Sequence, residues 1–170
     1  MTGYSSKRGF TLLIALVLST VAVSITLALT TLAYKGLILS SGSQQSQQAF
    51  YAADTVLECA LLWDNGAHRA FRYSSSQSTQ ADIPVYCAGI NPQGGTNKVP
   101  GTLSSNGDFT IFESNWFSVE GSRCGQFIVY KANPNDSSVR TAIYANGVNT
   151  SCEDRTTDPR AIERSLRAIF

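Results

Sequence analysis

The sequence predicts an α+β fold in which one long N-terminal helix covers a small antiparallel β-sheet. Three observations predict this layout. Residues 10–34 are apolar or small and carry no charge. Residues 49–64 repeat apolar side chains three and four positions apart, which is typical of one face of a helix. From Asp108 onward, runs of β-branched and aromatic residues alternate with turn residues, which is typical of short strands.

The N-terminal apolar segment is long enough to cross a membrane. As a helix, residues 10–34 span about 37 Å, and the hydrocarbon core of a bilayer is about 30 Å thick. A secretory signal has a shorter apolar region that ends in a small-residue cleavage site. Lys7 and Arg8 stand before the segment, so the positive-inside rule places the N-terminus in the cytoplasm. We expect the serine and threonine hydroxyls of the segment to bond to backbone carbonyls one turn back.

The start of this segment resembles the processing site of type IV pilins and pseudopilins. The resemblance is carried by the basic pair Lys7 and Arg8, by Gly9, and by Phe10 with the uncharged run after it. It implies that a prepilin peptidase cuts between Gly9 and Phe10 and that the new N-terminal Phe10 is methylated. It divides the chain into a leader (1–9), a transmembrane and filament-core helix (10–35) and an extracytoplasmic domain (36–170). The implied partners are other pilin subunits, the prepilin peptidase, an assembly platform and the membrane.

The sequence departs from that family at Ile14. Most pilins carry a glutamate at this fifth mature position, where its carboxylate pairs with the N-terminal amine of a neighbouring subunit. A carboxylate in a membrane is costly unless it is paired, so its usual presence implies a partner. Ile14 has no charge, and the family members that resemble this chain in lacking the glutamate tend to be minor subunits at a filament tip. Two interpretations stay open: a tip position, or a lineage in which the pairing is dispensable.

The second half of the predicted helix also resembles one group within the family. Residues 48–54 read Gln-Ala-Phe-Tyr-Ala-Ala-Asp, similar to the segment that follows the membrane helix in PilX-type minor pilins. We expect one helix from about residue 10 to about residue 64, ending at Asn65-Gly66. Its predicted core face comprises Phe50, Ala53, Val56, Leu57, Ala60, Leu61 and Trp63, with Tyr51 at the rim.

The four cysteines predict two disulfides. Cys59, Cys87, Cys124 and Cys152 are well separated and form no Cys-x-x-Cys pair, so a zinc site is not expected. An exported domain favours disulfides, for which three connectivities are possible. We favour Cys59–Cys87 with Cys124–Cys152, because closure between nearest neighbours suits consecutive elements.

The rest of the domain divides into a loop and a sheet. Residues 65–107 are rich in polar residues, glycine and proline and predict a variable surface loop, with a short edge strand at 83–87. Residues 108–170 predict the sheet. Asn146-Gly147 is expected to close one strand, and the C-terminal segment suits a strand better than a short helix. The predicted strands are 109–113 with 116–119 (one strand or a bulged pair), 126–131, 139–145 and 161–170.

No catalytic constellation is visible, so the chain is not expected to be an enzyme or to need a cofactor or metal. The net charge of +1 gives no electrostatic footprint for nucleic acid. His68 is expected on the surface. The carboxylates Asp54, Glu58 and Asp64 are expected on a solvated helix face. Tyr73 and Tyr86 are expected on the surface without forming a cluster.

These observations predict a minor pilin-like structural subunit of a type IV pilus. Its expected locations are the cytoplasmic (inner) membrane and then an extracellular pilus. The first alternative is a pseudopilin of a type II secretion system, in a periplasmic pseudopilus. A second is a membrane-anchored extracytoplasmic binding module whose processing motif is fortuitous, and an exported enzyme ranks last. Any surface ligand, DNA included, is unidentified at this stage.

Overall fold

A computed structural model describes residues 8–65, 68–87, 89–90, 98–119, 121–135 and 140–170. Lys7 and Gly66, two residues of the sequence predictions, lie outside these ranges. The chain divides into two compact units, Met1–Ser43 and Gln44–Phe170. The described residues form one helix and seven strands: α1 (Arg8–Asn65), β1 (Ser78–Gln80), β2 (Pro100–Leu103), β3 (Phe109–Glu113), β4 (Phe117–Val119), β5 (Arg123–Ala132), β6 (Thr141–Val148) and β7 (Glu163–Ile169).

The α+β layout predicted from the sequence is confirmed. The helix α1 ends at Asn65, as expected. Gly36 and Gly42 lie within it, and the space where a β-carbon would stand is open at both. The polar stretch 40–48 is helical, as predicted, in keeping with the good helix propensity of glutamine.

All strand pairs in the described part of the chain are antiparallel. The sheet has the order β1-β2-β3-β5-β6-β7, and β4 also pairs with β5. The longest ladder joins β5 to β6, from Cys124 opposite Val148 to Lys131 opposite Thr141. The C-terminal segment is the edge strand β7, which confirms the choice of strand over helix.

The strands β3 and β4 form one interrupted strand along β5. Glu113 of β3 lies opposite Ile128, and Phe117 of β4 lies opposite Gly125. Between them, the Phe127 amide donates to the Ser114 hydroxyl, and the Ser114 amide donates to the Phe127 carbonyl. The hydroxyl thus replaces a backbone acceptor where the ladder is broken, which is the bulged pair that the sequence allowed.

The predicted loop 65–107 also contributes to the sheet, which is a correction. Both β1 and β2 lie within it, whereas 83–87 forms only a single bridge between Cys87 and Ile90. The signal was weak because both strands are short, and β1 (Ser-Thr-Gln) and β2 (Pro-Gly-Thr-Leu) together contain few residues that favour strands. Pro100 is the first residue of β2, a position that proline tolerates.

The strand β6 runs past its predicted end. Asn146-Gly147 was expected to close the strand, but both residues pair with β5 and with β7. Gly147 is a position of close approach, not a turn. A β-carbon there would lie 2.5 Å from the Ala49 carbonyl oxygen and would overlap the Ala53 nitrogen.

Within the second unit, a narrow alanine face of α1 packs on the sheet. Ala49, Ala52, Ala53, Val56 and Ala60 are fully buried. Small side chains bring the helix backbone close to the strands, and bulkier residues fill the space to one side. There the Phe71 ring lies 5.3 Å from that of Phe112 and 5.8 Å from that of Phe127. Edge-to-face and tilted contacts between aromatic rings stabilise the core by more than the burial of their apolar area alone.

The predicted core position of Phe50 is wrong. Phe50 is 44% exposed and Tyr51 is 58% exposed, and their rings contact each other edge to face at 6.1 Å. The spacing of apolar residues allowed either face of the helix to turn inward. Gly147 favours the alanine face, because only there can the two backbones come close.

Candidate functional site in the N-terminal helix and the disulfide-bonded unit

The described part of the first unit, residues 8–43, is helix, and its apolar side chains are exposed. Residues 10–41 are all exposed, among them Phe10 at 70% and Ile14 at 41%. The helix is long and apolar enough to cross a membrane, with a mean hydropathy of 2.6 in its most apolar window. Exposed leucine, isoleucine and valine in such number need lipid or other protein around them.

Five hydroxyl groups in this helix donate to backbone carbonyls three or four residues back, which is the bonding predicted for the segment. Thr20 donates to the Val17 carbonyl at 2.9 Å, and Ser24 donates to the Thr20 carbonyl at 2.8 Å. Thr26, Thr30 and Thr31 make equivalent bonds three or four residues back. Because these five donors are already bonded, their side chains add little cost in an apolar environment.

The expected processing site lies at the start of α1. Arg8 and Gly9 are its first two residues, and Phe10 follows. Phe10 and Ile14 are four residues apart, so they lie one turn apart on the same helix face. A cut after Gly9 would create an amine at Phe10. Position 14 lies one turn further along the helix, and its isoleucine side chain carries no charge that could pair with an amine.

Two disulfides join elements of the second unit. Cys59 on α1 is bonded to Cys87, and Cys124 on β5 is bonded to Cys152. These are the two pairs favoured from the sequence. Next to the first, the Trp63 indole nitrogen donates to the Tyr86 carbonyl at 2.9 Å. The segment around Tyr86 is therefore held against α1 by one covalent bond and one hydrogen bond.

Asp64 is not on a solvated helix face, which corrects the sequence prediction. Its side chain is 1% exposed, and the Lys131 ammonium lies 2.6 Å from its Oδ1 and donates to its Oδ2 at 2.8 Å. Lys131 also donates to the Thr141 hydroxyl at 2.7 Å. An ion pair thus joins the last turn of α1 to β5. Glu58 is exposed as expected, and Asp54 is half-buried.

The other singled-out residues are dispersed. His68 is exposed and its ring lies 4.5 Å from that of Trp63. Tyr73 is half-buried; its hydroxyl donates to the Gly107 carbonyl at 2.8 Å and accepts from the Asn133 amide at 3.3 Å. Tyr86 is 47% exposed. Within the described ranges, no group of three His, Cys, Asp or Glu side chains could hold a metal ion.

Comparisons with known proteins add no assignment: no family model, no curated protein and no solved structure matches the chain. The structure places the protein in a broad structural class. It combines a helix of membrane-spanning length with a disulfide-bonded unit in which helix packs on an antiparallel sheet.

Proposed function

We propose that this chain is a minor pilin-like structural subunit of a type IV pilus, placed near the filament tip and taking part in the start of assembly. One observation carries the proposal. The basic pair, Gly9 and Phe10 stand directly before an uncharged apolar helix, which continues in sequence into the amphipathic helix of an α+β unit. A secretory signal does not account for this arrangement, because its apolar region is shorter than the segment 10–34.

The side chains of the apolar helix suit a subunit that moves from the membrane into a filament. Its apolar side chains suit lipid, and they equally suit contact with the apolar helices of other subunits. Its small and hydroxyl-bearing residues permit close helix packing, with the hydroxyls already bonded to their own backbone. Exchange of lipid for protein gives no large hydrophobic gain, so extraction from the membrane requires work from an ATP-driven assembly platform.

Ile14 supports the tip position within this proposal. A shaft subunit of the family uses the carboxylate at this position to neutralise the amine of its neighbour. A subunit at the tip has no neighbour above it and needs no such carboxylate. The exposed apolar side chain at position 14 then suits insertion and retention in the membrane better than a charged one does.

Processing in cells that contain a prepilin peptidase tests the proposal. We expect intact-mass measurement to find a chain that begins at Phe10 and carries one N-methyl group. Gly9→Val is the matched control, because it keeps the charge and the apolar segment while it blocks the cut. An uncut chain beginning at Met1, with or without the peptidase, would contradict the proposal and favour a membrane-anchored binding module.

Cell fractionation distinguishes a subunit of a type IV pilus from a pseudopilin of a secretion system. Sheared extracellular pili should contain the mature chain at low copy number. A mature chain that is found only with a periplasmic secretion complex would instead indicate a pseudopilin.

A further inference from the structure

A cationic cleft lies in the second unit where α1 ends. The cleft has a volume of about 730 Å³. Its walls are formed by Asp64 and Asn65 at the end of α1, the segment around Phe71, the end of β5, the start of β6, and Phe170. This volume is in the range of sites that bind small organic molecules. The cleft is independent of the processing motif and of the apolar helix.

The cleft carries more cations than its carboxylates neutralise. Arg69, Arg72, Lys131 and Arg140 line it, and Asp64 is the aspartate in its wall. Among the described lining residues, cations therefore outnumber carboxylates.

Two of the four cations already have partners. Lys131 pairs with the buried Asp64, and Arg72 pairs with Asp82 at 2.8 Å. Arg69 and Arg140 are exposed, and no carboxylate of the described residues lies within ion-pair distance of either guanidinium. Among the described residues, Arg69 and Arg140 are therefore the two cations of the cleft that are left to bind an anion.

The backbone holds Arg69 in an unfavourable conformation. Arg69 has a φ of 42°, in the left-handed region that non-glycine residues seldom adopt. The next residue, Ala70, is fully buried, and its amide donates to the Trp63 carbonyl at 2.9 Å. The chain thus keeps an arginine at a strained position beside the cleft, where asparagine or glycine would fit the backbone better. Such strain is typical of positions kept for function.

Aromatic residues line the same cleft. Phe71 is buried with its ring in the core, so the accessible aromatic surface comes from Tyr73, which is half-buried, and Phe170, which is 45% exposed. Because both hydrogen bonds of the Tyr73 hydroxyl are internal, Tyr73 offers a ligand its ring rather than its polar end.

We propose that this cleft binds an organic oxyanion: a carboxylate or phosphate group attached to a ring that packs on the aromatic residues. A guanidinium donates two parallel hydrogen bonds to either oxyanion, and two unpaired arginines can fix its position and orientation. A purely structural role would be compensation of the negative C-terminal end of α1 and of Asp64. Lys131 already neutralises the charge of Asp64. A structural role of this kind therefore does not explain why Arg69 and Arg140 are there.

Three probes test the site by isothermal titration calorimetry: inorganic phosphate, adenosine monophosphate and glucuronate. The full chain is used in a non-ionic detergent, without a C-terminal tag because Phe170 lines the cleft. The test variant is Arg69→Gln with Arg140→Gln. The matched control is Arg155→Gln with Arg160→Gln, which removes the same charge from residues that do not line the cleft: Arg155 lies over the Trp116 ring and Arg160 lies beside Asp158.

We expect adenosine monophosphate or glucuronate to bind at one site, at least about tenfold more tightly than inorganic phosphate. The test variant should weaken that binding at least about tenfold, which corresponds to about 1.4 kcal/mol, and the control should not. Preference for the nucleotide identifies a phosphate ligand, and preference for the sugar acid identifies a carboxylate ligand. The proposal is overturned if all three probes bind more weakly than about 1 mM, or if both double variants weaken binding equally. Neither result bears on the pilus proposal, which depends on Phe10 and not on this cleft.

Discussion

Gly147 on β6 lies so close to Ala53 on α1 that no side chain fits between them. A β-carbon at Gly147 would overlap the Ala53 nitrogen and would lie 2.8 Å from the Ala52 carbonyl carbon. Ala49, Ala52 and Ala53 are fully buried against this glycine. The contact between two backbones fixes the distance from helix to sheet and determines which face of the helix turns inward.

Gly147→Ala should therefore destabilise the second unit. The methyl group meets backbone atoms, which cannot move aside as a side chain can, so we expect a loss of about 1–3 kcal/mol in the free energy of unfolding. Denaturant titration of the full chain in detergent, followed by tryptophan fluorescence, measures it. Gly42→Ala is the control, because that helical glycine faces open space and alanine favours a helix. Equal stability of G147A and the natural chain would contradict the close contact.

The ion pair between Asp64 and Lys131 gives a second prediction. Lys131→Met keeps the apolar stem and removes the charge, leaving the buried Asp64 carboxylate without a cation. We expect a loss of about 3–5 kcal/mol in the free energy of unfolding. The Arg72–Asp82 pair provides the comparison, since its side chains are 66% and 46% exposed and Arg72→Gln should cost less than about 1 kcal/mol. Similar losses in K131M and R72Q would show that Asp64 is solvated after all.

The helix and strands predicted correctly from the sequence are those whose pattern is contained in neighbouring residues. A long uncharged run, an amphipathic helix and dense β-branched strands each carry their pattern within a few residues. The helix end, the bulged pair β3 and β4, and the edge strand β7 were found in this way. Each depends on propensity and on the alternation of neighbours, which one sequence contains.

What the sequence did not reveal depends on residues far apart in the chain. The inward face of α1 is set by Gly147, which lies on β6, so Phe50 was placed wrongly. Asp64 is buried only because Lys131 of β5 reaches it. The strand β2 forms on the edge that β3 offers, and β1 in turn pairs with β2. The cationic cleft likewise combines the segment after α1 with β5 and β6. Such pairings cannot be inferred from local spacing.

The two disulfides should stabilise the unit equally in the chain-entropy model. Each closes a loop of the same length, since both cysteine pairs are separated by 28 residues. Cys59→Ala with Cys87→Ala, and Cys124→Ala with Cys152→Ala, should each lower the free energy of unfolding by about 3–4 kcal/mol. Denaturant titration of both variants and of the oxidised natural chain measures this. A large difference between the variants would show that packing of the sulfur atoms, and not loop closure, dominates.

Ile14→Glu tests the tip position most directly. A carboxylate within the apolar segment is costly unless it is paired. In a filament it can pair with the amine of the neighbouring subunit, so the variant should enter the shaft in place of remaining a rare subunit. We expect quantitative immunoblotting of sheared pili to show several-fold more copies per filament. Ile14→Gln, which has a similar size but no charge, should leave the copy number unchanged. If I14E and I14Q enter the filament equally, the missing carboxylate does not explain a tip position, and that part of the proposed function is contradicted.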